Sequence, residues 1–194
     1  MILVATIAFS LVLARLRGGR FKGLVNVPLR WGALAAIAFA IQAAFIYQTP
    51  SHDYAGALGR EELLLIGSHV LLIAVVWANR RLPGIHWLGL GLLLNLLAMV
   101  ANGGWMPVTP EALTEAGHTG LVPSLASGTR VYSSKNIVLP RAETRLWVLS
   151  DVFILARPFP VPSIFSVGDL MLAVGVFQLI QGAMLGSIAQ TRRH

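Results

Sequence analysis

Long apolar runs separated by short polar or basic stretches dominate the chain. A helix rises about 1.5 Å per residue, so about 20 apolar residues cross the hydrocarbon core of a bilayer. Five runs approach that length, at residues 1–14, 31–48, 63–78, 85–101 and 165–189. The pattern predicts an all-α integral membrane protein, a bundle of about five transmembrane helices forming one membrane domain over 1–194. The first run is short for a full span, and Arg15 and Arg17 after it are placed to snorkel toward the interface. Its basic residues follow the apolar part, the reverse of a secretory signal peptide, which predicts a retained anchor with its N-terminus outside.

Residues 102–163 break the pattern and hold seven of the ten prolines. They are expected to form an extracytoplasmic cap. Thr109-Pro110-Glu111 reads as an N-cap, a first-turn proline and an acidic first turn, and Gly117 as a stop. This predicts a short helix over 110–116. The run 146–156 is apolar but too short to span, and Pro158, Pro160 and Pro162 follow it. It is expected to be a re-entrant or interfacial helix before the last span. No internal repeat is apparent.

Charge orients the bundle. Nine of fifteen basic residues (Arg15, Arg17, Arg20, Lys22, Arg30, Arg80, Arg81, Arg192 and Arg193) crowd short segments on one side. The other six are spread through long loops on the opposite side. The positive-inside rule then puts the N-terminus outside and the C-terminus in the cytoplasm, in a multi-pass protein of a bacterial inner membrane. Composition agrees: 56% of residues are hydrophobic and 12% charged, against about 25% charged in a soluble domain. The net charge of +7 does not signal nucleic-acid binding, because the basic residues flank apolar spans. The absence of cysteine excludes disulfides, thiolate metal sites and cysteine nucleophiles.

Lipid gives helices no hydrophobic reason to associate, so small residues that admit close backbone approach mark packing faces. Gly32, Ala36, Ala40 and Ala44 form one stripe, and Gly168, Gly175, Gly182 and Gly186 another. Packing within the bundle explains both. A homo-oligomer or other membrane subunits are the alternative partners, beside the lipid bilayer itself.

Candidate chemistry concentrates in two carboxylates. Asp151 sits inside the apolar run 149–153, and Asp169 about one turn into the last span. A carboxylate at membrane depth costs a few kcal/mol and is a functional-site hypothesis by default. If the two face each other they can share a proton, the arrangement that activates water in aspartic proteases. The structural alternative has Asp169 capping its helix or pairing with Arg157, and Asp151 pairing with Arg145. His69, Asn95, Asn102, Ser166, Gln42 and Gln48 are expected on the same side, as pocket lining or as interhelical hydrogen bonds. His69 is also the residue to consider for haem or pigment ligation, though no cofactor is expected. His86 lies in the opposite leaflet, His52, His118 and His194 lie outside the spans, and no zinc-ligand spacing occurs. No phosphate loop, nucleotide fingerprint or nucleophile elbow is present. Five spans do not divide into the equal halves common in transporters.

The last forty-odd residues resemble the C-terminal part of the lipoprotein signal peptidases. That family places one aspartate in a short apolar motif and a second at the outer end of its last span, in a Phe-Asn-x-Ala-Asp pattern. Asp151 and Asp169 match in order and spacing, and Phe165 matches the pattern's first position. Ser166 stands for the asparagine and Gly168 for the alanine, and no Asn-x-x-Asp-Arg motif precedes Asp151. Over most of its length the chain resembles an uncharacterised family of bacterial polytopic membrane proteins, a domain of unknown function. The matching segments are 17–20, 102–108, 144–146 with Asp151, and 166–169. Together these features predict a non-catalytic subunit or binding protein of a membrane assembly. The alternative implied by the first resemblance is an aspartic peptidase or hydrolase acting at the outer leaflet through Asp151 and Asp169.

Overall fold

Five long apolar helices carry the fold. The computed structural model describes residues 2–47, 59–159 and 161–186. The long helices are α1 (Ile2–Leu16), α3 (Gly32–Tyr47), α4 (Arg60–Ala78), α5 (Ile85–Ala101) and α7 (Val167–Met184). α4 and α7 are long and apolar enough to cross a membrane, and the other three are shorter apolar helices. Large side chains such as Phe9, Val12, Phe39, Val70, Trp77, Leu93 and Val100 are exposed on their outer faces. Gln48, His52, Pro160, Arg192, Arg193 and His194, named above, lie outside the described residues.

The helices pack in the order α3–α4–α5–α7–α1. α3 and α4 are antiparallel, with Ala38 against Leu72 and Gln42 Nε2 donating to Ser68 Oγ at 3.1 Å. α1 and α7 run parallel. Their contact is partly polar: Gln181 Nε2 donates to the Ser10 carbonyl at 2.8 Å, and Ser10 Oγ to the Phe177 carbonyl at 3.3 Å. Between α5 and α7 the backbones meet at glycines. A Cβ on Gly91 would stand 2.5 Å from the Gly168 carbonyl oxygen, and one on Gly175 would stand 2.6 Å from Leu88 Cγ. Gly84 faces Gly175 one repeat further along. Two glycine pairs seven residues apart therefore set how closely these helices approach.

The stripe expectations divide. Gly168 and Gly175 are interface glycines, and Gly182 is buried. Gly186 is not a packing residue: it is exposed, nothing lies within 4 Å of where its Cβ would be, and its φ of +85° marks the left-handed turn that ends α7. The Gly32 stripe does not pack within the bundle. Ala36, Ala40 and Ala44 are exposed, and α3 meets α4 through Ala35, Ala38 and Gln42 instead.

Short irregular elements complete the chain. The basic stretch after α1 contains α2 (Lys22–Val25), which packs against α7. The expected helix near 110 is α6 (Pro110–Glu115), with Thr109 Oγ1 accepting from Ala112 N at 3.2 Å. The class is not purely α. β1 (Met106–Val108) pairs in parallel with β2 (Asn136–Val138), and β3 (Phe153–Leu155) pairs antiparallel with β4 (Ser163–Phe165).

The expected re-entrant helix over 146–156 does not form. Leu146 adopts φ +49°, a single 3₁₀ turn covers Trp147–Leu149, and the chain then extends into β3. Pro158 and Pro162 cannot continue a helix, and the chain returns so that Phe153 stacks on Phe165 with ring centroids 5.6 Å apart. The last helix likewise begins at Val167, after β4, rather than at residue 165.

Asparagines join the loops to the helix ends. Asn79 and Asn102 each end a helix and donate back to the carbonyl four residues earlier. Each also takes the N–H and the C=O of one distant residue, Arg30 for Asn79 and Arg145 for Asn102, at 2.8–2.9 Å. A buried helix end needs such partners.

Gly91→Leu and Gly175→Leu should each destabilise the protein by more than the roughly 1–3 kcal/mol typical of overpacking, because the obstruction includes backbone. Leu93→Ala, on an exposed face, should stay within about 0.5 kcal/mol. Thermal unfolding in mild detergent reads the difference; equal tolerance of all three would remove the glycines from the interface.

Candidate functional site

The site is assembled from the cap inward. β1 runs between two extended segments, β2 on one side and residue 151 on the other. The Asp151 N–H donates to the Pro107 carbonyl at 3.1 Å, which fixes the backbone at the aspartate. Its side chain points toward β2, where Asn136 Nδ2 donates to Oδ2 at 2.6 Å. The other carboxyl oxygen, Oδ1, is buried with no hydrogen-bond partner among the described residues. Asp151 as a whole is 6% exposed.

Asp169 arrives from the opposite direction, on the first turn of α7. Ser166 and Asp169 form a reciprocal capping box: Ser166 Oγ accepts from Asp169 N at 3.0 Å, and Asp169 Oδ2 accepts from Ser166 N at 3.2 Å. Asn95 of α5 completes the arrangement. Its Nδ2 donates to Asp169 Oδ1 at 2.9 Å, and its Oδ1 accepts from Ser166 Oγ at 2.8 Å. Asn95 can reach both because Gly168 has no side chain to hold α5 away.

The two aspartates border one cavity of about 310 Å³ at the cap end of the bundle. Ile2, Leu3, Gln42, Leu65, Ile164 and Phe165 supply most of its remaining helical and β4 wall, and Ser133, Ser134, Lys135 and Asn136 supply its polar rim. Among the described residues neither carboxylate is paired with an arginine, and the expected Asp151–Arg145 and Asp169–Arg157 pairs do not form.

Burial pushes the Asp151 carboxyl up from its ordinary 3.8 to about 6, and the Asp169 charge adds to the rise. Lys135 and the Asn136 hydrogen bond oppose it.

Of the other expected pocket residues that the structure describes, Gln42 lines this cavity, whereas Asn95, Asn102, Ser166 and His69 do not. Asn95 and Ser166 stand behind Asp169 and hold it. Asn102 serves the end of α5. His69 is buried within α4, its Nδ1 2.9 Å from the Leu65 carbonyl oxygen. Among the described residues no three His, Asp or Glu side chains gather as a metal site.

Ser133, Ser134, Lys135 and Asn136 are the cavity residues that sequence reasoning missed. Their signal is a polar run between the apolar pairs 131–132 and 137–138, the form of a tight connection between extended segments. In the structure Val131 N donates to the Asn136 carbonyl at 3.0 Å across that connection.

A second cavity of about 500 Å³ also borders Asp151 and Asn136, and Val108, Leu113, His118, Tyr132 and Val161 are among its other lining residues. An apolar groove of about 370 Å³ runs beside it along α1, lined by Ile2, Val4, Ala5, Ala8, Leu155, Phe159 and Val161 together with Ser163.

Since the folded Asp151 keeps its proton to about pH 6, the stability it confers is full below about pH 4 and is lost as pH rises through about 6. Infrared titration should show a protonated-carboxyl band at pH 5 that fades by pH 7 and is missing in Asp151→Asn. A band absent at pH 5, or kept by the variant, would contradict the assignment.

No curated protein and no solved structure matches the chain. A family model does match, over residues 26–181, which is most of the chain. The chain therefore belongs to DUF5317, a family of unknown function.

Proposed function

We propose that this is a polytopic membrane protein that binds an amphiphilic ligand in the outer leaflet, without catalysing a reaction on it. The observation that carries this reading is Asp151 itself: its Oδ1 is buried without a hydrogen-bond partner among the described residues, and the residue lines a cavity that shares Ile2 with an apolar groove along α1. A buried polar atom without a partner costs about 1–3 kcal/mol, and a ligand that donates to it removes that cost. The apolar groove suits a hydrocarbon chain. Asp169 contributes charge to the wall, but both its oxygens already accept from protein N–H groups.

The exposed apolar faces of the five helices support a bilayer setting, with the cap outside and the basic clusters at the cytoplasmic side of a bacterial inner membrane. The outward-facing small residues of α3 support association with another subunit or a second copy.

One observation favours a second reading, hydrolysis. Two carboxylates border the same cavity, and the charge of one helps the other keep its proton. In that reading Asp169 takes a proton from water as the water attacks an amide carbonyl and protonated Asp151 donates to the carbonyl oxygen; Asp151 then takes that proton back as the C–N bond breaks, and Asp169 gives its proton to the departing amine.

Gentle purification should recover the protein with about one tightly held lipid. Ala8→Trp, which fills the groove from an exposed position, should lower that occupancy at least tenfold without loss of fold. Cleavage of a lipidated peptide by the native protein, abolished in both Asp151→Asn and Asp169→Asn, would replace binding with hydrolysis. Equal lipid content in the native and Ala8→Trp proteins would contradict binding in the groove.

A further inference from the structure

The polar rim of the Asp151 cavity carries both signs of charge. Lys135 lines the same wall as the two aspartates and forms no ion pair among the described residues. Among the described residues Asp151 Oδ1 has no donor, and each Asp169 oxygen accepts a single N–H although a carboxylate oxygen can accept two. The cavity thus offers several acceptor sites beside one cation, with net charge −1 when both aspartates are ionised. A primary ammonium has three N–H donors and matches the acceptors, whereas a quaternary ammonium has none. A phosphodiester a few bonds away matches Lys135. The groove and the cavity, about 370 and 310 Å³, are each of the size that holds a small ligand fragment.

We propose that the site takes a zwitterionic phospholipid bearing a primary ammonium, with the ammonium at Asp151 and Asp169, the phosphodiester at Lys135 and an acyl chain in the groove along α1. This rests on the binding reading above and names its ligand class. The complementarity is local and fixed by the fold. Asn136 holds Asp151 from β2, Asn95 holds Asp169 from α5, and Lys135 precedes Asn136 on the same connection. An anionic lipid without an amine would leave the acceptors unsatisfied and place its charge beside two carboxylates.

The test uses the full chain, delipidated in detergent and titrated with phosphatidylethanolamine, phosphatidylcholine and phosphatidylglycerol of identical acyl chains. Native mass spectrometry reads the bound fraction. Phosphatidylethanolamine should bind at least tenfold more tightly than the other two. Asp169→Asn should reduce that preference to threefold or less, and the asparagine can still accept from Ser166 N and so keep the helix cap. Lys135→Met should weaken all three lipids while keeping the preference for ethanolamine over choline. Equal binding of ethanolamine and choline lipids by the native protein, or a preference unchanged in Asp169→Asn, would overturn the proposal while leaving lipid binding intact. Failure to hold any of the three lipids would overturn the binding reading as well.

Discussion

The close approach of α5 and α7 is the constraint on which the site depends. Their contact comes from backbone proximity and from hydrogen bonds between buried polar groups. The glycine pairs at 91/168 and 84/175 supply the proximity. Asn95 supplies the hydrogen bonds, one to the Ser166 hydroxyl and one to Asp169. A side chain at Gly168 would occupy the place of the Asn95 amide, so packing and site are the same contact viewed from two sides.

The cap solves the complementary problem of holding extended backbone over a helical bundle. Trp105, fully buried, donates from Nε1 to Glu62 at 2.9 Å, and Glu62 also caps the first turn of α4. Arg130 lies over the Trp105 ring at 3.8 Å and pairs with Glu61. These contacts tie β1 and the segment before β2 to one helix end. Asn102 ties the segment before Asp151 to another. Asp151 is therefore held through β1 and Asn136, which lie far from it in sequence, and its depth follows from theirs.

Much of this was legible in the sequence, and the failures have physical causes. Helix positions followed from apolar run length, and the α6 start followed from Thr109-Pro110-Glu111. Asp151 and Asp169 stood out because each interrupts an apolar context, and the structure brings both to one cavity. The strands were not legible. Each is three residues long, β1–β2 pairing spans thirty residues of register, and Phe153-Ile154-Leu155 has no alternation to separate a strand from a helix. The expectation that the α3 stripe packs within the bundle failed because small residues mark a face fit for close packing without saying which neighbour occupies it. Stripe reading failed at Gly186 because a glycine at a helix end meets a need for positive φ that spacing alone does not distinguish from packing.

The account's central claim is that packing at α5–α7 sets Asp169 close enough to Asp151 for their charges to interact across the cavity. Infrared titration of the Asp151 carboxyl in Asp169→Asn tests it most directly, since the substitution removes the neighbouring charge and leaves Asp151 in place. The account predicts that Asp151 then loses its proton at a lower pH than in the native protein, while still above its ordinary 3.8 because burial remains. An identical titration in the native protein and the variant, with both folded, would contradict it.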